Sequence, residues 1–549
     1  MRISFSAVLM FLYAISLLIP TGFTYASNLE QHLEKKHKKI TQKPQLQAKL
    51  ALQRMAKAMG GAGKIKKLSG LRLIASGQRF EPEQGLKPGG EFMHVADYRH
   101  ILTQSFTQPR LRLDWSVDTY YPAVAHREYS EVINEEFAAV LGSDDITGLQ
   151  QAPMQATRMG ARTKQYFVSS PIALLHYAMN NPHKVSYSGI AERDKRKHLV
   201  IAFNTWQQPI YLYIDVKSGL PTQVETLEDD SVYGDALWKV RYKHWVKFDG
   251  VLLPTRLTHY LEGRLIHKLT RGSIELLKTI DQSMFNIPWS LQSPLNEDAF
   301  NWGIQSSQWF GRFSLTGIPM DLDQRTEQSI NLQEIAPGVI NIRGFTHNTL
   351  VVEMNDFLVV IDPALYEQRT TSVLKAIRQR WGDTPIKYII STHFHNDHIG
   401  GIRGYAAQGA TLVIGEGTRS HYISLLAAPH TISPDLLSTK HVDINFIEAG
   451  TDTPYVISDG KRKIHLVDIP NRHSIAMLMP YIEDAKLAFV TDLYNPELFS
   501  PPVPALFSFW SLDLLNALQD LDFNIKTISG AHGNTVSYEK FVTDVNASF

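Results

Sequence analysis

Residues 386–401 read Ile-Lys-Tyr-Ile-Ile-Ser-Thr-His-Phe-His-Asn-Asp-His-Ile-Gly-Gly, and this stretch decides how the chain is read. An apolar β-run, Ile386 to Ile390, leads directly into His393, His395, Asp397 and His398, four ligand-type residues within six positions. On an extended loop, residues two apart point the same way, so His393 and His395 face one metal ion. Asp397 and His398 stand at the start of a predicted helix, where the turning chain aims them at a second. Neutral imidazole with carboxylate suits zinc, and also iron or manganese. Gly400 and Gly401 permit close backbone approach beside such a site.

Working outward, Val339–Ile342, Thr349–Glu353 and Leu358–Ile361 read as short strands, and the last ends at Asp362-Pro363. A helix is predicted from Ser372 to Trp381, before the strand that enters the histidine cluster. Strand, helix, strand and a loop of ligands is an α/β pattern. Further upstream, Leu46 to about Ile65 has helical spacing that Gly60-Gly61 stops, and residues 69–285 read as strands. Their turns centre on Lys217-Ser218-Gly219, Asp249-Gly250 and Glu262-Gly263, as expected of successive hairpins in an antiparallel sheet that curls over a core, with the early helix as a plug. Trp206, Trp238 and Trp245 are expected to pack on that sheet. Residues 291–330 have little periodicity and read as a linker. The expected organisation is therefore 1–26 leader, 27–45 charged tether, 46–290 helix plus antiparallel β domain, 291–330 linker and 331–549 catalytic domain.

The 549 residues carry 55 Lys+Arg against 54 Asp+Glu, too balanced a charge to attract nucleic acid through its phosphates. There is no cysteine, which removes disulfides, thiolate metal sites, a Cys nucleophile and lipoprotein acylation together. Arg2, the apolar run Ile3–Ile19 and the close Thr24-Tyr25-Ala26 form an export signal with cleavage expected after Ala26. The other reading is an uncleaved anchor, since roughly 17 mostly apolar residues nearly span a bilayer. The expected location is outside the cytoplasm, in the periplasm.

A strand followed by His-x-His-x-Asp-His resembles the metallo-β-lactamase fold hydrolase superfamily, whose remaining motif positions occur here in order. They are Asp362 after Val359-Val360-Ile361, His473 in Pro470-Asn471-Arg472-His473, Asp492 after Phe489-Val490-Thr491, and His532 in Gly530-Ala531-His532-Gly533. The resemblance implies an α+β, α/β-type fold: an αββα sandwich preceded by the curved antiparallel domain. It implies two zinc ions, or iron or manganese. His393, His395 and His473 would hold one ion, Asp397, His398 and His532 the other, with Asp492 bridging. Two such ions about 3.5–4 Å apart share a hydroxide and lower the pKa of bound water toward ~7. Asp397 would also be catalytic, orienting the attacking water or accepting its proton, and Asp362 would steady the ligands from behind. Arg472 and Tyr494 are expected near the pocket, and the aromatic segment Phe499 to Trp510 either at its rim or as a surface loop packed on the other domain.

Two finer resemblances accompany this one. His347-Asn348-Thr349-Leu350-Val351-Val352-Glu353 and Leu426-Ala427-Ala428-Pro429 look like a branch of exported two-domain members. Tyr213-Ile214-Asp215, Gly219-Leu220-Pro221, Asp249-Gly250 with Pro254, and Phe285 with Pro288 resemble the periplasmic lipoprotein-carrier type of domain, which implies an apolar or lipid ligand in the N-terminal half. Asn471-Arg472 departs from the Gly that often precedes the third histidine. His465 competes for that role but lies within a predicted strand.

The reaction expected is hydrolysis of a small-molecule ester, lactone, thioester, amide or phosphoester. Asp492 separates the chain from zinc β-lactamases with Cys at that position, and His395 from the di-iron flavoprotein branch. The interval from His398 to His473 is too short for the inserted domain of the RNA-processing branch. The alternatives are a mono-iron dioxygenase acting on sulfur and a non-catalytic periplasmic lipid-binding protein. His421, His430 and His441 are expected at the surface.

Overall fold

A computed structural model describes residues 44–144, 151–316, 330–344, 346–450, 452–498 and 503–549. The expected leader, nearly all of the tether and part of the 499–510 aromatic segment lie outside the described residues. No helix among the described residues is long and apolar enough to cross a membrane.

The N-terminal sheet has thirteen antiparallel strands among the described residues. Two meanders meet where Gly70–Glu81 pairs with both Met93–Ser105 and Arg264–Leu277. The outer strands are Ala152–Pro153 and Val185–Arg193. Alternate residues face inward: Leu111, Leu113, Trp115 and Val117 are buried along one strand, and Ala236, Trp238, Val240 and Tyr242 along another. The helix spanning 44–59 buries Ala48, Ala51, Met55, Ala56 and Met59 in the same core. It stops at Gly60, where φ is +124° and a Cβ would lie 2.3 Å from the Gly250 carbonyl oxygen, so only glycine fits.

Residues 69–285 are not all strand. The two outer strands are joined by helices Ala156–Val168 and Pro171–Asn180, the second N-capped by Ser170. Nearly all of the first is buried, with Arg158, Arg162 and Lys164 enclosed alongside Met159, Ala161, Tyr166 and Val168. Arg158 and Arg162 meet Glu131 at 2.5 and 2.7 Å, and Lys164 meets Glu228 at 2.8 Å, all nearly or fully enclosed. Arg162 also lies over the Trp115 ring and Lys164 over Trp238, so one helix ties both meanders of the sheet.

Within the segment read as a linker, Glu297–Gln305 and Ser307–Thr316 are helices. Asn296 caps the first by accepting from the Ala299 amide. A Cβ at Gly303 would stand 2.0 Å from the Thr157 carbonyl oxygen, so Glu297–Gln305 crosses the helix Ala156–Val168 in direct backbone contact. Trp302 and Phe310 cluster with Ala161 of that helix and with Ala364, Leu365 and Tyr366 of the C-terminal domain. The segment is a packed wedge between the two halves; its residues 317–329 lie outside the described residues.

The C-terminal domain is a four-layer αββα sandwich. One sheet has seven strands, from Asn331–Ala336 to Phe446–Ala449, antiparallel at first and parallel from Leu358–Ile361 onward. The other has six, from Tyr455–Ser458 to Thr535–Ser537. Val359, Ile361, Ile390 and Val413 from the first pack against Ile464, Leu466, Leu478 and Phe489 from the second. Near-continuous apolar strands follow from being covered on both faces. The Leu426-Ala427-Ala428-Pro429 stretch is a seat for the N-terminal domain. The Asp235 amide donates to the Pro429 carbonyl at 2.7 Å, and the Asp235 carboxylate accepts from the Thr431 and Ile432 amides.

Burial alone would raise the pKa of Glu131, but Arg162 and Arg158 outweigh it and hold the value to about 2. Its contribution to stability is therefore full above the ordinary carboxyl pKa of 4.5 and is lost as pH falls from there toward 2. Glu131→Gln is expected to cost about 3–5 kcal/mol at pH 7, because it leaves Arg162 buried without its anion and Arg158 with Asp144 alone. Chemical denaturation of the variant at pH 7, and of the wild type between pH 5 and pH 2.5, checks both statements.

Candidate metal centre

The loops at one end of the two C-terminal sheets meet in two groups of donor atoms. His393, His395, His473 and Asp492 form one and His347, Asp397, His398 and His532 the other; within each, one ligand atom per residue lies within 4.8 Å of the rest. Strand Ile386–Ile390 delivers the first two histidines, and His395 then stands at the N-cap of the short helix Asn396–Ile399, which turns Asp397 and His398 toward the second group. Asp492 faces both. Its Oδ1 lies 3.0 Å from His398 Nε2 and 3.3 Å from His532 Nε2, and its Oδ2 lies 3.2 Å from His473 Nε2 and 3.7 Å from His393 Nε2.

The outward nitrogens are held by the surrounding protein. His398 Nδ1 donates to Asp362 at 2.9 Å, His532 Nδ1 to the Thr346 carbonyl at 2.7 Å, and His395 Nε2 to the Gly85 carbonyl at 3.0 Å. Each bond fixes a tautomer whose other nitrogen presents a lone pair inward. Buried and without a hydrogen bond are His393 Nε2, His395 Nδ1, His398 Nε2, His473 Nε2 and Asp492 Oδ1. Five orphaned donor atoms converging in one place are costly unless a cation satisfies them. The set fits zinc, iron or manganese.

Electrostatics agrees with that arrangement. Burial pushes His395 and His347 down to about 3 and His393 well below its ordinary value, so these imidazoles are neutral, as ligands must be. Burial also opposes charge on His398, but Asp362, Asp492 and Asp397 outweigh it and drive its pKa well up. Asp397 and Asp492 stay ionised despite burial, chiefly through His398. Among the described residues no lysine or arginine forms an ion pair with Asp362, Asp397 or Asp492. The positive charge that these carboxylates call for comes from His398, from His532, whose pKa Asp492 also raises, or from a bound cation.

Asp362 is fully buried at a strand end, with φ of +71°, and its carboxylate also accepts from Thr392 Oγ1 at 3.3 Å. Asn471 replaces glycine before His473 without strain. Its Oδ1 accepts from the His473 and Ser474 amides, both at 2.8 Å, and its φ is not positive. His465 lies on its strand and pairs with Glu483 at 2.6 Å.

Several expectations are corrected. Arg472 does not enter the pocket: it is half-exposed, paired with Asp513 at 2.9 Å and stacked over Phe509. Tyr494 donates to Asp544 at 2.5 Å and packs on Phe541, also away from the ligands. From the aromatic segment it is Trp510 that reaches the site, edge-on to His473 at 4.1 Å between ring centroids. His430 is buried beside Arg403 and Asp435, and the His421 ring packs on Phe394; only His441 is exposed.

Two contributors have no counterpart in the sequence reading. His347 Nε2 stands 3.2 Å from Asp397 Oδ2, with its ring 4.2 Å from that of His532. The histidine that opens the His347–Glu353 motif was the available signal, since it begins a strand beside the ligand loops. The other is the 82–92 loop of the N-terminal domain, which brings Gln84 and Gly85 against Asp397 and His395. More than three hundred positions separate these partners, and no motif marks them.

Asp362→Asn keeps the side-chain shape and tolerates the left-handed backbone, yet removes the charge that polarises His398. It is expected to weaken metal affinity by about 10–100-fold with little change in melting temperature, as read by chelator competition and by thermal denaturation.

The family model described as the metallo-beta-lactamase superfamily matches residues 342–532. A linear primary-alkylsulfatase from a Pseudomonas species is 30% identical over 84 residues, which is 15% of this chain and spans only 12% of that protein's length. Similar solved structures include a metallo-beta-lactamase from Pontibacter korlensis, with 18% identity and a TM-score of 0.32, covering 40% of this chain and 98% of that one. Another is the flavodiiron protein from Giardia intestinalis, with 18% identity and a TM-score of 0.31, covering 40% and 58%. Residues 342–532 thus form a metallo-beta-lactamase superfamily domain.

Proposed function

We propose that the protein is a dinuclear metal-dependent hydrolase of small-molecule esters, exported to the periplasm. The observation that carries this reading is the pair of four-residue donor groups joined by Asp492, with orphaned lone pairs aimed between them. One group of ligands would suit a mono-iron oxygenase; two adjoining groups favour hydrolysis. The ions, zinc in this proposal, would supply a nucleophile from water at neutral pH and polarise the substrate oxygen.

The chain's own residues do the rest. His393, His395 and His473 would hold one ion, His398, His532 and Asp397 the other, and Asp492 would lie between, with His347 next to the second. Asp397 keeps its charge and is the most exposed acid of the centre, 14% by side chain, so it is placed to accept a proton from water. Trp510 and Tyr121, 6.2 Å apart between ring centroids, cover His473 and Gln84 and exclude water from that side. The likeness to an alkylsulfatase makes a primary alkyl sulfate the first ester to test, beside carboxylic esters, lactones, thioesters, amides and phosphoesters. An apolar ligand of the N-terminal domain would sit in the groove of about 450 Å³ between helices 44–59 and Pro171–Asn180, lined by Leu52, Ala56, Leu175 and Met179.

Elemental analysis of the purified protein is expected to find about two zinc ions per chain, falling to about one in His395→Ala. A single iron would move the assignment to the oxygenase, and no metal after reconstitution would end the catalytic reading. With an ester that is turned over, Asp397→Asn is expected to lower kcat by about 10²–10⁴-fold, measured by release of the acid product.

A further inference from the structure

Every donor of the metal centre comes from residues 347–532, but one oxygen of Asp397 is held by a residue of the other domain. Gln84 is 7% exposed, and its Nε2 donates to Asp397 Oδ1 at 2.7 Å and to Asn396 Oδ1 at 3.2 Å. Its Oε1 accepts from the Tyr121 hydroxyl at 2.6 Å. The amide cannot be turned over, because its oxygen would then face a carboxylate and a carbonyl oxygen. The remaining oxygen of Asp397, Oδ2, is taken by His347. The carboxylate is therefore held at both ends, and Gln84 does this without adding a charge that would weaken the acid as a ligand or as a base.

The loop that carries Gln84 is itself anchored on both sides. Glu83 accepts from Tyr233 Oη at 2.6 Å, Arg264 at 2.9 Å and the Gly89 amide at 3.1 Å, all within the N-terminal domain. Toward the other domain, the Pro82 carbonyl accepts from Asn396 Nδ2, the Glu83 carbonyl from the Asn396 amide, and the Leu86 carbonyl from the Ile475 amide. Its contacts thus reach both the 393–398 and the 469–477 ligand loops. With Gly85 holding His395, the loop touches one ligand from each donor group.

We propose that Gln84 is a positioning residue of the hydrolytic centre, acting on Asp397 through an amide that Tyr121 orients, so that the metal centre is complete only with the N-terminal domain in place. This rests on the dinuclear reading above. It assigns to the N-terminal domain a part in the chemistry, separate from any ligand it carries.

The test uses the full chain, stripped of metal and titrated with Co²⁺ and with Zn²⁺ against a chromophoric chelator. In Gln84→Ala one of the two ions is expected to bind about 10–100-fold more weakly, with an altered Co²⁺ absorption spectrum, the other ion unaffected and the melting temperature close to wild type. Tyr121→Phe keeps the amide but frees its orientation, and a smaller loss at the same ion is expected. Wild-type affinities and an unchanged spectrum in Gln84→Ala overturn the proposal and leave the dinuclear reading intact. Equal weakening of both ions with a lowered melting temperature overturns it too, since that marks a merely structural role. If Gln84→Ala does not fold, Tyr121→Phe decides by the same criteria. A wild-type chain that binds fewer than two ions overturns both readings.

Discussion

The burial of the Asp492 carboxylate among histidines is the constraint around which the C-terminal domain is organised. An ionised carboxylate away from water is stable only with compensating charge or several hydrogen bonds. Here each oxygen faces a different set of imidazoles, and the imidazoles in turn need their far nitrogens engaged. Those engagements run outward through Asp362, the Thr346 carbonyl and the Gly85 carbonyl. They place demands on a strand end, on the start of the His347 strand and on the opposite domain. Strand ends and loops at one edge of the sandwich are thus constrained together, although they are distant in sequence.

The N-terminal sheet meets a different demand with similar means. Its inner face is sealed by a helix that brings two arginines and a lysine into the interior, and Glu131 and Glu228 answer them. Buried pairs of this kind add little net stability but are costly to break. They fix how the Ala156–Val168 helix sits across the sheet. That helix supports the wedge 297–316, which packs against Tyr366 close to the strand carrying Asp362. A continuous packed path therefore joins the two halves, and a second runs through Asp235 and the Pro429 turn.

What could be read from sequence follows from how local each determinant is. The 393–398 candidate ligands were plain because one loop carries four residues of ligand type. Asp362, His473, Asp492 and His532 were found as candidates by order and spacing along a resembling family, each after a strand or in a short turn. The helix Ala156–Val168 was missed because charged residues are buried all along it beside the apolar ones, so its sequence does not look like that of a core helix. The helices in 297–316 were missed because their aromatics pack on two bodies at once and so show no single stripe. Arg472 and Tyr494 were misplaced because proximity in sequence to a ligand does not determine direction; Asp513 and Asp544 draw them aside. Gln84 left no trace at all, since its role exists only once the two domains meet.

The topology of the thirteen-stranded sheet also bears on the order in which the chain acquires its structure. Each meander pairs neighbours in sequence, but Gly70–Glu81 lies between the two and finds its second partner only in Arg264–Leu277. During synthesis that strand emerges early and leaves one row of amide and carbonyl groups open until the last strand of the domain arrives. An open strand edge is a template for pairing with other chains, and closing so long a loop is slow. The hazard of aggregation is therefore concentrated in the interval of translation between the two strands. A nascent chain halted there would expose the very strand that leads into the metal-centre loop.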